Sequence, residues 1–196
     1  MIGDELRASG AAVQELFARV PDGGAAVPLL GTDVAGVAAH ITSCLTWYAA
    51  DLVAGPVEVT AFDLVRRPDA DLTEMLAQLR AAAEVLARVV DAADPAERGV
   101  HDWGLADASG FAAMGCAELL LHTWDVADGR ELSWSPPAPL ADSVRARLFP
   151  WAPADADPWT ALLWATGRGE LPGREPVLSW RWHCAPLAEW DGTQPG

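Results

Sequence analysis

In Cys116-Ala-Glu118-Leu-Leu-Leu-His122-Thr-Trp-Asp125, Glu118 and His122 stand four residues apart. On a helix they project from one face on successive turns, the spacing by which a helix offers two ligands to one metal ion. Asp125 lies three residues further along that face, where it can orient a ligand imidazole or act as a polar cap near the helix end at Gly129. Glu118 and His122 bracket the apolar run Leu119-Leu120-Leu121, which predicts a buried setting for both. A buried carboxylate needs a cation or a metal beside it, and Lys is absent: all 13 basic residues are Arg. The plainer alternative for Glu118 and His122 is a solvent-exposed ion pair.

Working outward, Val37-Ala38-Ala39-His40 places an imidazole in otherwise apolar surroundings on an earlier helix, with Cys44 and Trp47 on its face. Alone, His40 reads equally as a hydrogen-bonded core histidine. Together, His40, Glu118 and His122 make a two-His, one-carboxylate set with a coordination position left for water or substrate. Cys44 is a further ligand or a small buried hydrophobe.

Ala- and Leu-rich periodicity predicts four long helices, over residues 2–20, from Thr32 or Asp33 to 54, over 71–93 and over 109–129. The third carries Leu72, Met75, Leu76, Leu79, Ala83, Leu86 and Val90 along one stripe. The connections exceed what tight antiparallel hairpins need, so a crossover bundle is expected. Beyond Arg130 the composition changes: ten of the 15 Pro and seven of the 10 Trp follow it. Short helices over 140–149 and 159–167 and a strand-like stretch over 177–183 read as an appendage. The organisation expected is a metal-binding bundle over residues 1–130 with an appendage over 131–196 packed on it, a single domain overall and all-α in the main.

The chain has 196 residues and a net charge of −15 from 13 basic and 28 acidic side chains. Such a surface repels a phosphate backbone, which argues against nucleic-acid binding. No stretch reaches the roughly 18 apolar, charge-free residues of a spanning helix, so no membrane partner is expected. Cys44, Cys116 and Cys184 show no CxxC spacing, and neither a disulfide framework nor a zinc ribbon follows from them. An acidic N-terminus unlike a signal peptide and reduced thiols together predict a cytoplasmic protein.

The pairing of Val-Ala-Ala-His40-Ile with Glu118-Leu-Leu-Leu-His122-Thr-Trp-Asp125-Val resembles the DinB-like superfamily, in the branch of mycothiol-dependent maleylpyruvate isomerases. The third helix and Leu162-Leu163-Trp164-Ala165-Thr166-Gly167-Arg168 are similar to family patterns too. The resemblance implies a four-helix bundle, a divalent metal, usually zinc, held by His40, Glu118 and His122, and mycothiol as thiol cosubstrate. The absence of Lys and Asn, both with AT-rich codons, suits a GC-rich actinobacterial source. Where family members usually carry a Trp ahead of the His-bearing helix, this chain has Gly31-Thr32-Asp33.

A zinc ion with these ligands would ionise a thiol bound at its open position. The expected activity is S-transfer to a small electrophile or its thiol-assisted isomerisation. Arg80 and Arg168 are candidate clamps for a substrate carboxylate, or surface charges; Trp47 and Trp124 wall the cavity and cofactor, or fill core. The rivals are a hydrolase in which the same metal activates water and a metal-stabilised binding module.

Overall fold

The computed structural model of the protein describes residues 1–59, 61 and 63–194. Four long helices, α1 (Gly3–Phe17), α2 (Val34–Ala54), α3 (Leu72–Ala92) and α4 (Ala108–Asp128), form the bundle. Three of them start at an aspartate: the side chains of Asp33, Asp71 and Asp107 accept hydrogen bonds from the backbone N–H groups of Gly36, Glu74 and Gly110. Each cap satisfies a donor that the first helical turn leaves free. Between Thr32 and Asp33, it is Asp33 that caps α2.

The order around the bundle is not the order along the chain. α1 packs beside α3 and α4, and α2 does the same from the opposite corner, so the consecutive helices α1 and α2 stand across a diagonal. This is the crossover arrangement that the long connections require. Those connections carry two small antiparallel pairs that the sequence did not announce: β1 (Ala26–Val27) with β2 (Thr32–Asp33), and β3 (Gly99–His101) with β4 (Gly104–Ala106). Strands of two or three residues are too short to show an alternating pattern.

α4 is the central helix. At Gly115 a Cβ atom would lie 2.7, 2.8 and 3.1 Å from methyl groups of Leu86, Leu6 and Leu45. Glycine there lets leucines from α3, α1 and α2 converge on the α4 backbone. Two further helices, α5 (Ala138–Leu148) against α4 and α6 (Pro158–Ala165) against α5, close the other side. Every residue of α4 from Gly110 to Leu121 is consequently buried, as befits a helix apolar nearly all round. Glu118 is inside because the helix carrying it has no solvent face at that level.

The stretch over 177–183 is extended but is not a strand: no neighbouring strand pairs with it among the described residues. Its period-two alternation is real and serves a different partner. Trp180, Trp182 and Cys184 point together onto the β3–β4 hairpin, where Trp103 meets both indoles edge-on and a Cβ at Gly104 would lie 3.4 Å from the Cys184 sulfur. Flanking Pro176 and Pro186 withhold ladder donors at either end. The strap is held instead by Arg147, which donates to the carbonyls of His183 and Cys184 at 3.1 Å each and to Asp107 at 2.7 Å. Among the described residues, no helix is long and apolar enough to cross a membrane.

Candidate metal centre

Glu118 and His122, one turn apart on α4, meet His40 of α2. The Oε2 atom of Glu118 lies 3.1 Å from His122 Nε2 and 3.4 Å from His40 Nε2. It is nevertheless buried without a hydrogen bond among the described residues. The three donor atoms all fall within 4.8 Å of one another. Donors at about 2.1 Å from a tetrahedral zinc ion lie roughly 3.4 Å apart, which the two separations from Glu118 Oε2 approach; the widest separation in the group, 4.8 Å, has to close for all three to reach one ion, a movement that the exposed His40 side chain allows. The other carboxylate oxygen, Oε1, accepts a hydrogen bond from the Tyr48 hydroxyl at 3.1 Å.

Burial opposes ionisation of Glu118, but the close imidazoles of His122 and His40 outweigh it and hold the carboxyl below the usual carboxylate range. Burial likewise lowers the pKa of His122; the neighbouring carboxylates of Asp125 and Glu118 override this and raise it to about 9. Asp125 lies 2.8 Å from His122 Nδ1 and is gripped in turn by Arg168, whose Nε and outer nitrogen donate at 2.9 and 3.0 Å. Asp125 thus bridges His122 and Arg168. Arg168 lines the site, but its fork faces Asp125.

His40 departs from its expected setting. Its side chain is 55% exposed, because it stands at the rim of α2 with apolar residues behind it and solvent in front. Its ring meets His122 edge-on at a centroid distance of 4.8 Å. Cys44 Sγ lies 3.6 Å from His40 Nε2 yet is not a member of the three-donor group. Burial first, then the charge of Glu118, pushes the Cys44 thiol far above its ordinary range.

A cavity of about 290 Å³ opens beside the three donors, lined among others by Tyr48, His101, Asp102, Arg168, Trp180 and Trp182. Trp103 completes its aromatic wall. Of the cavity residues outside the motif, Tyr48, the β3–β4 turn and the strap were not singled out as site residues from the sequence. The alternating tryptophans of the strap were a usable signal, whereas nothing near Tyr48 marked it. Burial keeps the His101 imidazole below its ordinary pKa. Trp47 lines a neighbouring cavity of about 360 Å³ with Cys44 and Asp51, on the far side of Tyr48 and His101. Trp124 is half-buried on α4 and Arg80 exposed on α3, and neither lines the cavity beside the donors.

Residues 5–127 match the family described as the mycothiol maleylpyruvate isomerase N-terminal domain. No curated protein and no solved structure matches the chain.

Proposed function

The chain belongs to the family of the mycothiol maleylpyruvate isomerase N-terminal domain, and from that premise we propose that it is a cytoplasmic, metal-dependent enzyme using a mycothiol-type thiol to transfer sulfur to, or isomerise, a small electrophile. The observation that carries the proposal is the convergence on Oε2 of buried Glu118, which makes no hydrogen bond among the described residues, of two imidazole nitrogens at 3.1 and 3.4 Å beside a cavity. His40, Glu118 and His122 would hold the ion, for which zinc is the candidate. A bound zinc ion supplies positive charge that favours the thiolate form of a thiol at its open position.

The chain's own residues prepare that centre. Asp125 fixes the Nδ1 side of His122 and so leaves Nε2 to act as a donor. Arg168 holds Asp125 in place, and Tyr48 occupies Oε1 of Glu118, leaving Oε2 for the ion. The protein's own cysteines are poor sources of the sulfur: Cys116 and Cys184 are buried, and Cys44 is half-buried and outside the three-donor group. The proposal accordingly takes the thiol from outside.

Calorimetric titration of mycothiol, or its desacetyl or cysteinyl-glucosamine fragment, into metal-loaded and metal-stripped protein tests this. The expected result is binding that depends on the metal, lowers the pKa of the thiol and disappears in His122→Ala. Equal binding to both forms, or hydrolysis at full rate without thiol, would overturn it in favour of a water-activating centre.

A further inference from the structure

Strand β3 lies against α2, and Gly99 makes this approach possible: a Cβ there would stand 2.5 Å from the carbonyl oxygen of Asp51. His101, two residues along, shares the face of Gly99 and meets the Tyr48 ring of α2 at a centroid distance of 5.8 Å. Trp103 and Trp182 flank the imidazole at 5.6 and 5.8 Å. So held, it lines the cavity beside the three donors.

The hairpin also sets the tautomer of the ring. Nδ1 of His101 lies 3.2 Å from the backbone nitrogen of Trp103 and accepts its N–H. A ring nitrogen that accepts carries no proton, so the neutral ring bears its proton on Nε2. That group makes no hydrogen bond among the described residues. Burial keeps the ring neutral against the charges of Asp102 and Glu118, and a cation held by Glu118 would act in the same direction. Of the other side-chain donors that line the cavity beside the metal ligands, the Tyr48 hydroxyl is taken by Glu118 and the Arg168 fork by Asp125. The rest are indoles, whose N–H is less acidic than that of an imidazole.

Resting on the metal and thiol reading above, we propose that His101 is a catalytic residue: its Nε2–H donates to the oxygen of a substrate carbonyl conjugated to the double bond that the thiolate attacks. As the C–S bond forms, the π pair of the C=C bond moves toward the carbonyl, whose own pair moves onto oxygen to give an enolate. Rotation about the former double bond, return of the pair and departure of the thiolate complete an isomerisation with no net proton transfer. S-transfer shares the first half, the α-carbon then taking a proton from water. His101 keeps its own proton throughout. A donor aimed at the oxygen where charge develops stabilises the transition state more than the ground state, and a neutral imidazole can fill that part.

The test uses zinc-loaded protein, cysteinyl-glucosamine as thiol and two electrophiles: cis-3-acetylacrylate, whose ketone is conjugated, and iodoethane, which has no oxygen to take up charge. His101→Phe keeps a ring among Tyr48, Trp103 and Trp182 and removes the donor. Its kcat with cis-3-acetylacrylate should fall by about 10²–10³-fold, while the protein-dependent rate with iodoethane stays within about twofold and the zinc content is unchanged. His101→Gln, whose amide offers a donor in the region of Nε2, should recover part of the loss. A loss shared by both electrophiles shows a structural role, and a loss below about threefold shows none; either overturns the proposal. So does a selective loss found in Trp182→Phe and not in His101→Phe, since the donor is then the Trp182 indole, whose Nε1 is also buried without a partner among the described residues. A wild-type protein that turns over neither electrophile overturns the metal and thiol reading. His101 is then decided by imidazole nitrogen resonances, which are few because the chain has four histidines. Levulinate, which keeps the ketone, should shift the Nε2 resonance of His101 and leave that nitrogen protonated; an unmoved resonance overturns the proposal.

Discussion

Asp125 and Arg168 lie 43 residues apart in the chain, yet the guanidinium of Arg168 engages both carboxylate oxygens of Asp125, at 2.9 and 3.0 Å. Asp125 in turn lies 2.8 Å from His122 Nδ1. A residue beyond α6 therefore governs the orientation of an imidazole on α4, outside the span that the family match covers.

Replacing Arg168 by Met should leave a buried carboxylate facing only an imidazole. Breaking such a pair costs about 3–5 kcal/mol, and a loosened ligand imidazole costs about 10–100-fold in metal affinity. Urea denaturation and zinc competition with a chromophoric chelator measure the two effects. Arg168→Lys should recover part of the stability but little of the metal affinity, since an ammonium cannot reproduce the bidentate geometry.

His40→Ala and His122→Ala should separate in stability but agree in metal content. The His40 side chain is largely exposed, so its loss should change the stability of the metal-free protein by less than about 1 kcal/mol. Loss of His122 strands Glu118 and Asp125 and should cost more, on the order of 2–4 kcal/mol. Both variants should retain only a small fraction of the stoichiometric metal by elemental analysis. Full metal in either would remove that residue from the ligand set.

The raised pKa of His122, about 9, gives metal-free and metal-loaded protein opposite pH trends. In the metal-free form the imidazolium stabilises the fold. That contribution is fully present below the unfolded value of about 6.5 and is lost as pH rises through about 9. Melting temperature without metal should accordingly fall across this window. A metal ion must displace the proton, so apparent affinity should rise with pH up to about 9, with close to one proton released at neutral pH through this group. Calorimetry in buffers of different ionisation enthalpy counts that proton.

A chain ending at Arg130 should lose its fixed packing. It would lack α5, which covers α4, as well as the strap and Arg168. The exposed α4 face should bind a hydrophobic dye and the near-ultraviolet dichroism should collapse, with helical signal partly retained. Unchanged melting of a soluble fragment would show that the bundle stands alone.

The helices and the Glu118–His122 pair were legible because both depend on spacing within a single helix, whereas His40, on α2, joined them through the family resemblance. Leu72 through Val90 recur at helical period, aspartates mark three helix starts, and Glu118 and His122 must share a face wherever α4 packs. What could not be read depends on pairs distant in sequence. Tyr48 reaches Glu118 across 70 positions, and nothing in its neighbours announces that contact. The alternation over 177–183 was visible, but the same period serves a paired strand and an unpaired strap. Only the presence of the β3–β4 tryptophan decides between them. The apolar residues around His40 suggested burial, whereas its own side chain is 55% exposed on α2.

That open side bears on time as well as on affinity. Of the three donors, Glu118 and His122 are inside and His40 faces solvent. An ion held here can be released in stages, with His40 rotating away first while the two buried donors keep their places. The His40 step is the motion of one exposed side chain, on the nanosecond scale of surface rotamers; the bonds to Glu118 and His122 then set the rate of exchange, with no opening of the bundle. Such a centre would be filled according to the supply of each divalent ion weighted by its affinity for nitrogen and oxygen donors, and not by the history of the chain's folding.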